Sequence, residues 1–278
     1  MKTILFLSGL FLFGFRGSGQ PGERTKNFPK QVQRPGEMRN ERNVWVFILA
    51  GQSNMAGRGH VEPQDTLPVR RLLSIDKGGQ LIIAKEPLHF YEPDRAGLDC
   101  GYSFGKTILE NIPDSISILL IPCAVGGSSI SQWLGDSVYR NVKLFSNFLE
   151  KLETGRKFGI IKGILWHQGE SDANEKDIPL YQERLSVLIS RFRSSAGEST
   201  LPVLLGVLGT FSVDKENWNM INKVINNYSR LDSRTVVISS AGLQHKGDGI
   251  HFDSESQRIL GKRFAEMYME KFMNGKPQ

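Results

Sequence analysis

The chain has 278 residues, with 35 Lys or Arg against 29 Asp or Glu and a formal charge of +6. The excess sits at the start: from Val44 onward 27 basic residues face 26 acidic ones, which argues against a basic nucleic-acid-binding domain. A hydrophobic fraction of 39% with 16 Phe and 4 Trp excludes global disorder, and two cysteines are too few for a disulfide scaffold or a four-thiolate zinc site.

Residues 1–19 read as a secretory signal: Lys2 supplies a positive start, 3–15 an apolar stretch, and Gly17-Ser18-Gly19 a small-residue cleavage region. This predicts a secreted or periplasmic product. The apolar stretch is too short to span a bilayer, and no later segment is long and apolar enough, so no stable membrane association is expected. Residues 20–43 carry three prolines and no hydrophobic periodicity, the signature of a flexible, solvated spacer. Residues 44–278 form the expected folded domain.

Within that domain short apolar runs alternate with amphipathic stretches. Strands are predicted at 44–50, 116–121, 160–166, 203–208 and 235–238. Helices are predicted at 103–111, 138–153, 178–194, 216–230 and 254–272. In 178–194 the apolar Tyr181, Leu185, Leu188 and Phe192 recur at spacings of three and four. The last helix opens with Ser254-x-x-Gln257, a capping-box pattern. Alternating strands and helices imply a parallel sheet covered on both faces, with chemistry in the loops beyond the carboxyl ends of the strands.

Four such loops are unusually polar. Gly51-Gln52-Ser53-Asn54-Met55 follows the first strand and puts a serine where its hydroxyl can face the crevice; a helix-capping serine is the alternative. Pro122-Cys123-Ala124-Val125-Gly126-Gly127-Ser128 pairs glycines whose backbone can approach a ligand, or can simply turn. Trp166-His167-Gln168-Gly169-Glu170-Ser171-Asp172 places polar groups straight after a buried strand, among them the Gln168 amide, able to donate to a developing negative charge, and the Glu170 carboxylate, able to orient a neighbour. Asp248-Gly249-Ile250-His251 sets a carboxylate three residues before a histidine, so one ring nitrogen can be held while the other acts as base.

Other patterns compete. Gly101-Tyr102-Ser103-Phe104-Gly105 spells a nucleophile elbow but lacks the strand that should precede it. His245-x-x-Asp248-x-x-His251 offers three metal-type ligands, so a metal-dependent hydrolase stands as an alternative. A catalytically silent carbohydrate-binding protein is another, with Trp133 either facing a sugar ring or buried. His60 and His89 have no recognisable partner. Cys100 and Cys123 form a bridge only if they meet, and Asn227-Tyr228-Ser229 is a glycosylation sequon if the source is eukaryotic.

Together the four blocks resemble the SGNH hydrolase superfamily. More narrowly, Phe47–Gly59 (FILAGQSNMAGRG), Ile121–Ser128, Leu165–Asp172 and Asp248-Gly249-Ile250-His251 look like the sialate O-acetylesterase-like domain of carbohydrate esterase family 6, which includes acetylxylan esterases and plant probable carbohydrate esterases. The resemblance implies a three-layer α/β/α flavodoxin-like domain with a mostly parallel central sheet. It implies Ser53 as nucleophile, His251 as base and Asp248 as orienter, with an oxyanion hole from the Ser53 N–H, the Gly127 (or Gly126) N–H and the Gln168 side chain. Gln52, Asn54, Gly126 and Glu170 are candidate supporting residues. The implied substrate is an O-acetylated carbohydrate of acetylxylan or sialic-acid type, cleaved with no metal or organic cofactor and no nucleic-acid partner.

Overall fold

The computed structural model describes residues 21–36 and 41–273. The expected signal at 1–19 lies outside the described residues. The chain opens with a helical turn, α1 (Pro21–Arg24), and then builds a seven-stranded sheet. In chain order its strands are β1 (Val44–Gly51), β2 (Leu72–Ile75), β3 (Leu81–Ile83) and β4 (Ser117–Pro122), then, after a small hairpin of β5 (Val138–Tyr139) and β6 (Val142–Lys143), β7 (Ile160–His167), β8 (Val203–Gly206) and β9 (Thr235–Ile238). The order across the sheet is β3-β2-β4-β1-β7-β8-β9, and every pairing is parallel except β2 with β3. The five strands expected from the apolar runs form the middle and one flank in a flavodoxin-like order, and β2 with β3 extend the other flank.

Among the described residues, the α-helices after α1 are α2 (Ser53–Ala56), α3 (Gly101–Leu109), α4 (Ile130–Leu134), α5 (Leu144–Arg156), α6 (Ile178–Ala196), α7 (Lys215–Leu231) and α8 (Ser254–Tyr268), the last continuing into a π-helical turn at Met269–Met273. The two-residue period of β1 explains the layering. Val44, Val46, Ile48 and Ala50 face one core with side chains of α4, α5, α6 and α7, while Phe47 and Leu49 face another with α3 and α8. Each fully buried Leu, Ile or Phe contributes roughly 1.5–3 kcal/mol relative to exposure, so a sheet covered on both faces holds its strand ends firmly. The loops that leave those ends inherit that rigidity.

Several expectations are refined. The helix expected over 138–153 begins only at Leu144, because Arg140 and Asn141 adopt positive φ (48° and 61°) and turn 138–143 into a hairpin. The spacer expected at 20–43 is tied down in its described part. Arg24 donates to the Ala96 carbonyl, the Asn27 amide to Val61 O at 2.9 Å, and Gln33 O accepts from Ile83 N at 2.7 Å. Residues 21–36 therefore lie along the body. Cys100 and Cys123 are both free and belong to cores on opposite faces of the sheet, so they form no bridge. Trp133 is fully buried and packs edge-to-face on Trp166, 5.3 Å between centroids, which removes it as a sugar platform. Ser103 lies inside α3. No helix among the described residues is long and apolar enough to cross a membrane.

Candidate active site

β1 ends at Gly51, whose φ of +136° suits glycine; a Cβ there would fall 2.1 Å from the His167 carbonyl oxygen of the neighbouring strand. The tight exit brings Ser53 to the crevice as the first residue of α2. Gln52, not Ser53, holds the capping position, and the Ser53 hydroxyl instead lies 3.0 Å from His251 Nε2. In the first turn of a helix the backbone N–H has no intrahelical acceptor, which leaves the Ser53 N–H available.

His251 comes from the loop before α8. Its Nδ1 is 2.8 Å from Asp248 Oδ2, and Asp248 Oδ1 accepts the backbone N–H groups of Ile250 (3.0 Å) and His251 (2.8 Å). Burial pushes the Asp248 carboxyl up, but the hydrogen bonds from the His251 N–H, its imidazole and the Ile250 N–H outweigh it and bring the pKa down to about 2. Asp248 is thus a fixed negative charge. Burial lowers the His251 pKa; Asp248 opposes that shift, and the positive charges of Lys246 and Arg58 add to it. The imidazole accordingly favours the neutral form that a general base requires.

Asn54 fixes the same loop from the other side. Its Nδ2 donates to Ile250 O (3.1 Å) and its Oδ1 accepts from Phe252 N (3.1 Å), so it brackets His251 in the chain. Glu170 holds Asn54 in turn, Oε1 accepting from Nδ2 at 2.6 Å. The two supporting residues join three of the four loops.

One oxyanion assignment narrows and another changes. The Gly126 N–H donates to Glu92 Oε2 at 2.6 Å and is committed, which leaves the Gly127 N–H as the candidate donor of the pair. Gln168 departs from the implied role. It is fully buried, and its Nε2 donates to Asp172 Oδ2 (2.6 Å), Gln52 Oε1 (3.0 Å) and Ser128 O (3.2 Å), three acceptors for two hydrogens. It offers no free donor and instead stitches the first, second and third loops together. Gln52 Oε1 also receives the Ser171 N–H at 3.2 Å. Burial raises the Asp172 pKa, and hydrogen bonds from the Ile130 N–H and Gln168 oppose the shift.

The metal-type triplet does not converge. His251 Nε2 faces Ser53, Asp248 is bound to His251, and His245 Nδ1 accepts the N–H groups of Gly247 (2.9 Å) and Gly249 (3.0 Å). His245 shapes the turn that delivers His251.

Three residues escaped the sequence reading. Arg58 and Glu92 form a buried ion pair at 2.8 Å, and Arg140 lies 3.3 Å from the same carboxylate, next to the paired glycines. Arg58 stands inside the first block, but nothing local connects it to a carboxylate 34 positions away.

Residues 43–270 match the family model described as carbohydrate esterase, sialic acid-specific acetylesterase. The chain belongs to this family. It is 30% identical over 249 residues to a probable carbohydrate esterase of Arabidopsis thaliana, covering 82% of this chain and 91% of that one. A solved structure of an Arabidopsis thaliana protein superposes with a TM-score of 0.74 at 29% identity, covering 82% of this chain and 98% of that one. The crystal structure of a carbohydrate acetylesterase from Xanthomonas citri shares the fold, with a TM-score of 0.65 at 20% identity over 84% of this chain and 57% of that one. The chain is therefore a carboxylic ester hydrolase of the carbohydrate esterase type, with the α/β fold of the SGNH hydrolases.

Proposed function

We propose that this carbohydrate esterase removes O-acetyl groups by a serine mechanism, with an acetyl-enzyme intermediate on Ser53. The observation that carries the reading is the continuous chain from Ser53 Oγ to His251 Nε2 (3.0 Å) and from His251 Nδ1 to Asp248 Oδ2 (2.8 Å). His251 takes the Ser53 proton as Oγ attacks the ester carbonyl, and Asp248 stabilises the imidazolium that forms. The tetrahedral oxyanion receives the Ser53 and Gly127 backbone N–H groups. His251 then gives its proton to the departing sugar oxygen. Water, deprotonated by the same imidazole, attacks the acetyl-serine, and the imidazolium returns that proton to Ser53 Oγ as the acyl bond breaks and acetate leaves.

The substrate is an acetylated glycan of acetylxylan or sialic-acid type, as in carbohydrate esterase family 6. Release of residues 1–19 during export completes the proposal, and the N-terminal sequence of the mature protein checks it. For the chemistry, Ser53→Ala should abolish acetate release from a generic acetyl ester while thermal unfolding stays cooperative. Full activity in a folded Ser53→Ala protein would eliminate the serine mechanism. Acetate release from a panel of acetylated xylans and sialosides identifies the glycan.

A further inference from the structure

Beside the Ser53 N–H, the second oxyanion donor is the Gly127 N–H, which belongs to a turn that can adopt two orientations. Val125–Ser128 is a tight turn closed by Ser128 N to Val125 O at 3.3 Å, with Gly127 in its third position at φ +83°. That angle is the one a type II turn needs there. Types I and II differ by rotation of the central peptide, here the one joining Gly126 to Gly127. Because the C=O and N–H of a trans peptide point in opposite directions, whichever group holds the carbonyl also aims the N–H.

Arg140 holds that carbonyl. Its Nε donates to Gly126 O at 2.8 Å, while Glu92 accepts the Gly126 N–H at 2.6 Å and lies 3.3 Å from Arg140 Nε. Arg58 anchors Glu92 through Oε2 at 2.8 Å, the oxygen that also accepts the Gly126 N–H, and both side chains are buried. The following carbonyl, Gly127 O, accepts from Ser171 Oγ at 3.1 Å. Arg140 is presented by the β5–β6 hairpin, stacks 5.5 Å from the Tyr139 ring centroid, and is one-third exposed. No other side chain bonds the Gly126 carbonyl among the described residues.

We propose that Arg140 is a positioning residue for the oxyanion hole: its guanidinium, steadied by Glu92, fixes the Gly126–Gly127 peptide with the Gly127 N–H facing Ser53. The inference rests on the serine-esterase reading. A charged donor on the carbonyl also polarises the peptide and strengthens its N–H as a donor. Arg140 acts through the peptide, so its loss weakens transition-state binding more than substrate binding.

The test is steady-state kinetics on an acetyl ester with Arg140→Gln and Arg140→Gly, the glycine variant being compatible with the positive φ. The expected result is a kcat lowered about 10–100-fold, below the loss of a whole oxyanion donor. KM should stay within about twofold. Affinity for a trifluoromethyl ketone, which forms a tetrahedral oxyanion adduct, should fall in step with kcat. Added guanidinium ion should restore part of kcat in Arg140→Gly. An unchanged kcat, or a loss carried entirely by KM, overturns the proposal and makes Arg140 a spectator or a substrate contact. Ser53→Ala, assayed alongside, separates the two levels. If it is inactive while the Arg140 variants are not impaired, the inference alone fails; if it is fully active, the serine reading fails and takes the inference with it.

Discussion

Two histidine–carboxylate pairs in this protein have the same geometry and opposite consequences. His251 Nδ1 lies 2.8 Å from Asp248 Oδ2, and His89 Nδ1 lies 2.8 Å from Asp99 Oδ2. What differs is the far nitrogen. His251 Nε2 meets the Ser53 hydroxyl at 3.0 Å, a group with a proton to give, in a loop open to the crevice. His89 Nε2 is 3.4 Å from the Leu49 carbonyl oxygen, which has only lone pairs, and both members of that pair are buried. A general base needs a donor in front of it and a route for substrate. The pair behind β1 has neither, and it serves as a brace: Asp99 also accepts the Gly101 N–H at 2.6 Å where α3 begins.

The largest separation between the two pairs should come from alanine substitution. His251→Ala should lower kcat about 10⁴–10⁶-fold, in line with removal of the base from other serine triads, and leave the unfolding temperature nearly unchanged. His89→Ala should do the reverse. It leaves a buried Asp99 oxygen without its hydrogen-bond partner, a loss of about 1–3 kcal/mol in stability, while the folded fraction keeps most of its kcat. Equal effects on kcat would erase the distinction.

Asp248→Asn comes next. The amide cannot stabilise the imidazolium, so kcat should fall by about 10³–10⁴ with little change in fold. A milder loss than His251→Ala is expected, because the base itself remains.

The pH profile sharpens the same contrast. Burial lowers the His251 pKa below its ordinary value of 6.5, with Asp248 pulling against that shift. The neutral imidazole is the active form, so kcat/KM should rise with pH to a plateau, and fall only as pH drops through a midpoint below 6.5. A midpoint above 6.5 would contradict this environment.

The smallest effect lies in the brace. Glu86 is fully buried, and burial, reinforced by the Asp99 and Asp65 carboxylates, holds its pKa well above 4.5. The folded chain therefore keeps a proton that the unfolded chain releases above pH 4.5, and stability falls as pH rises from there toward the folded pKa. Glu86→Gln should raise the unfolding temperature relative to wild type at pH 8, with the gain shrinking toward pH 4. Equal unfolding temperatures at both pH values would show that Glu86 ionises freely.

The pattern of what could be read from sequence follows from the range of each interaction. Asp248 and His251 are three residues apart, and Ser53 follows a strong strand signal, so the three members of the proposed triad stand out as candidates in the sequence alone. The Asn54 and Glu170 supports were legible as candidates, although their bonding to each other is not. His89 lacked a visible partner because Asp99 stands ten residues downstream in no recognisable spacing. In sequence Gln168 reads as a free donor, because two of the acceptors that consume its amide, Gln52 and Ser128, arrive from other loops and the third, Asp172, is one of several polar residues in its own. Glu92 and Arg140 were invisible for the same reason. β2 and β3 escaped notice because strands of four and three residues carry too little periodicity, and the hairpin at 138–143 was masked by a helix whose apolar pattern begins just after it.

The most direct test of the account is covalent labelling with a fluorophosphonate, followed by peptide mass spectrometry and an acetate-release assay on the same sample. A nucleophilic Ser53 should carry one phosphonyl group, with activity lost in proportion to labelling and labelling strongly slowed in His251→Ala. Full acetate release from protein labelled at Ser53, or inactivation by labelling at another residue, would contradict it.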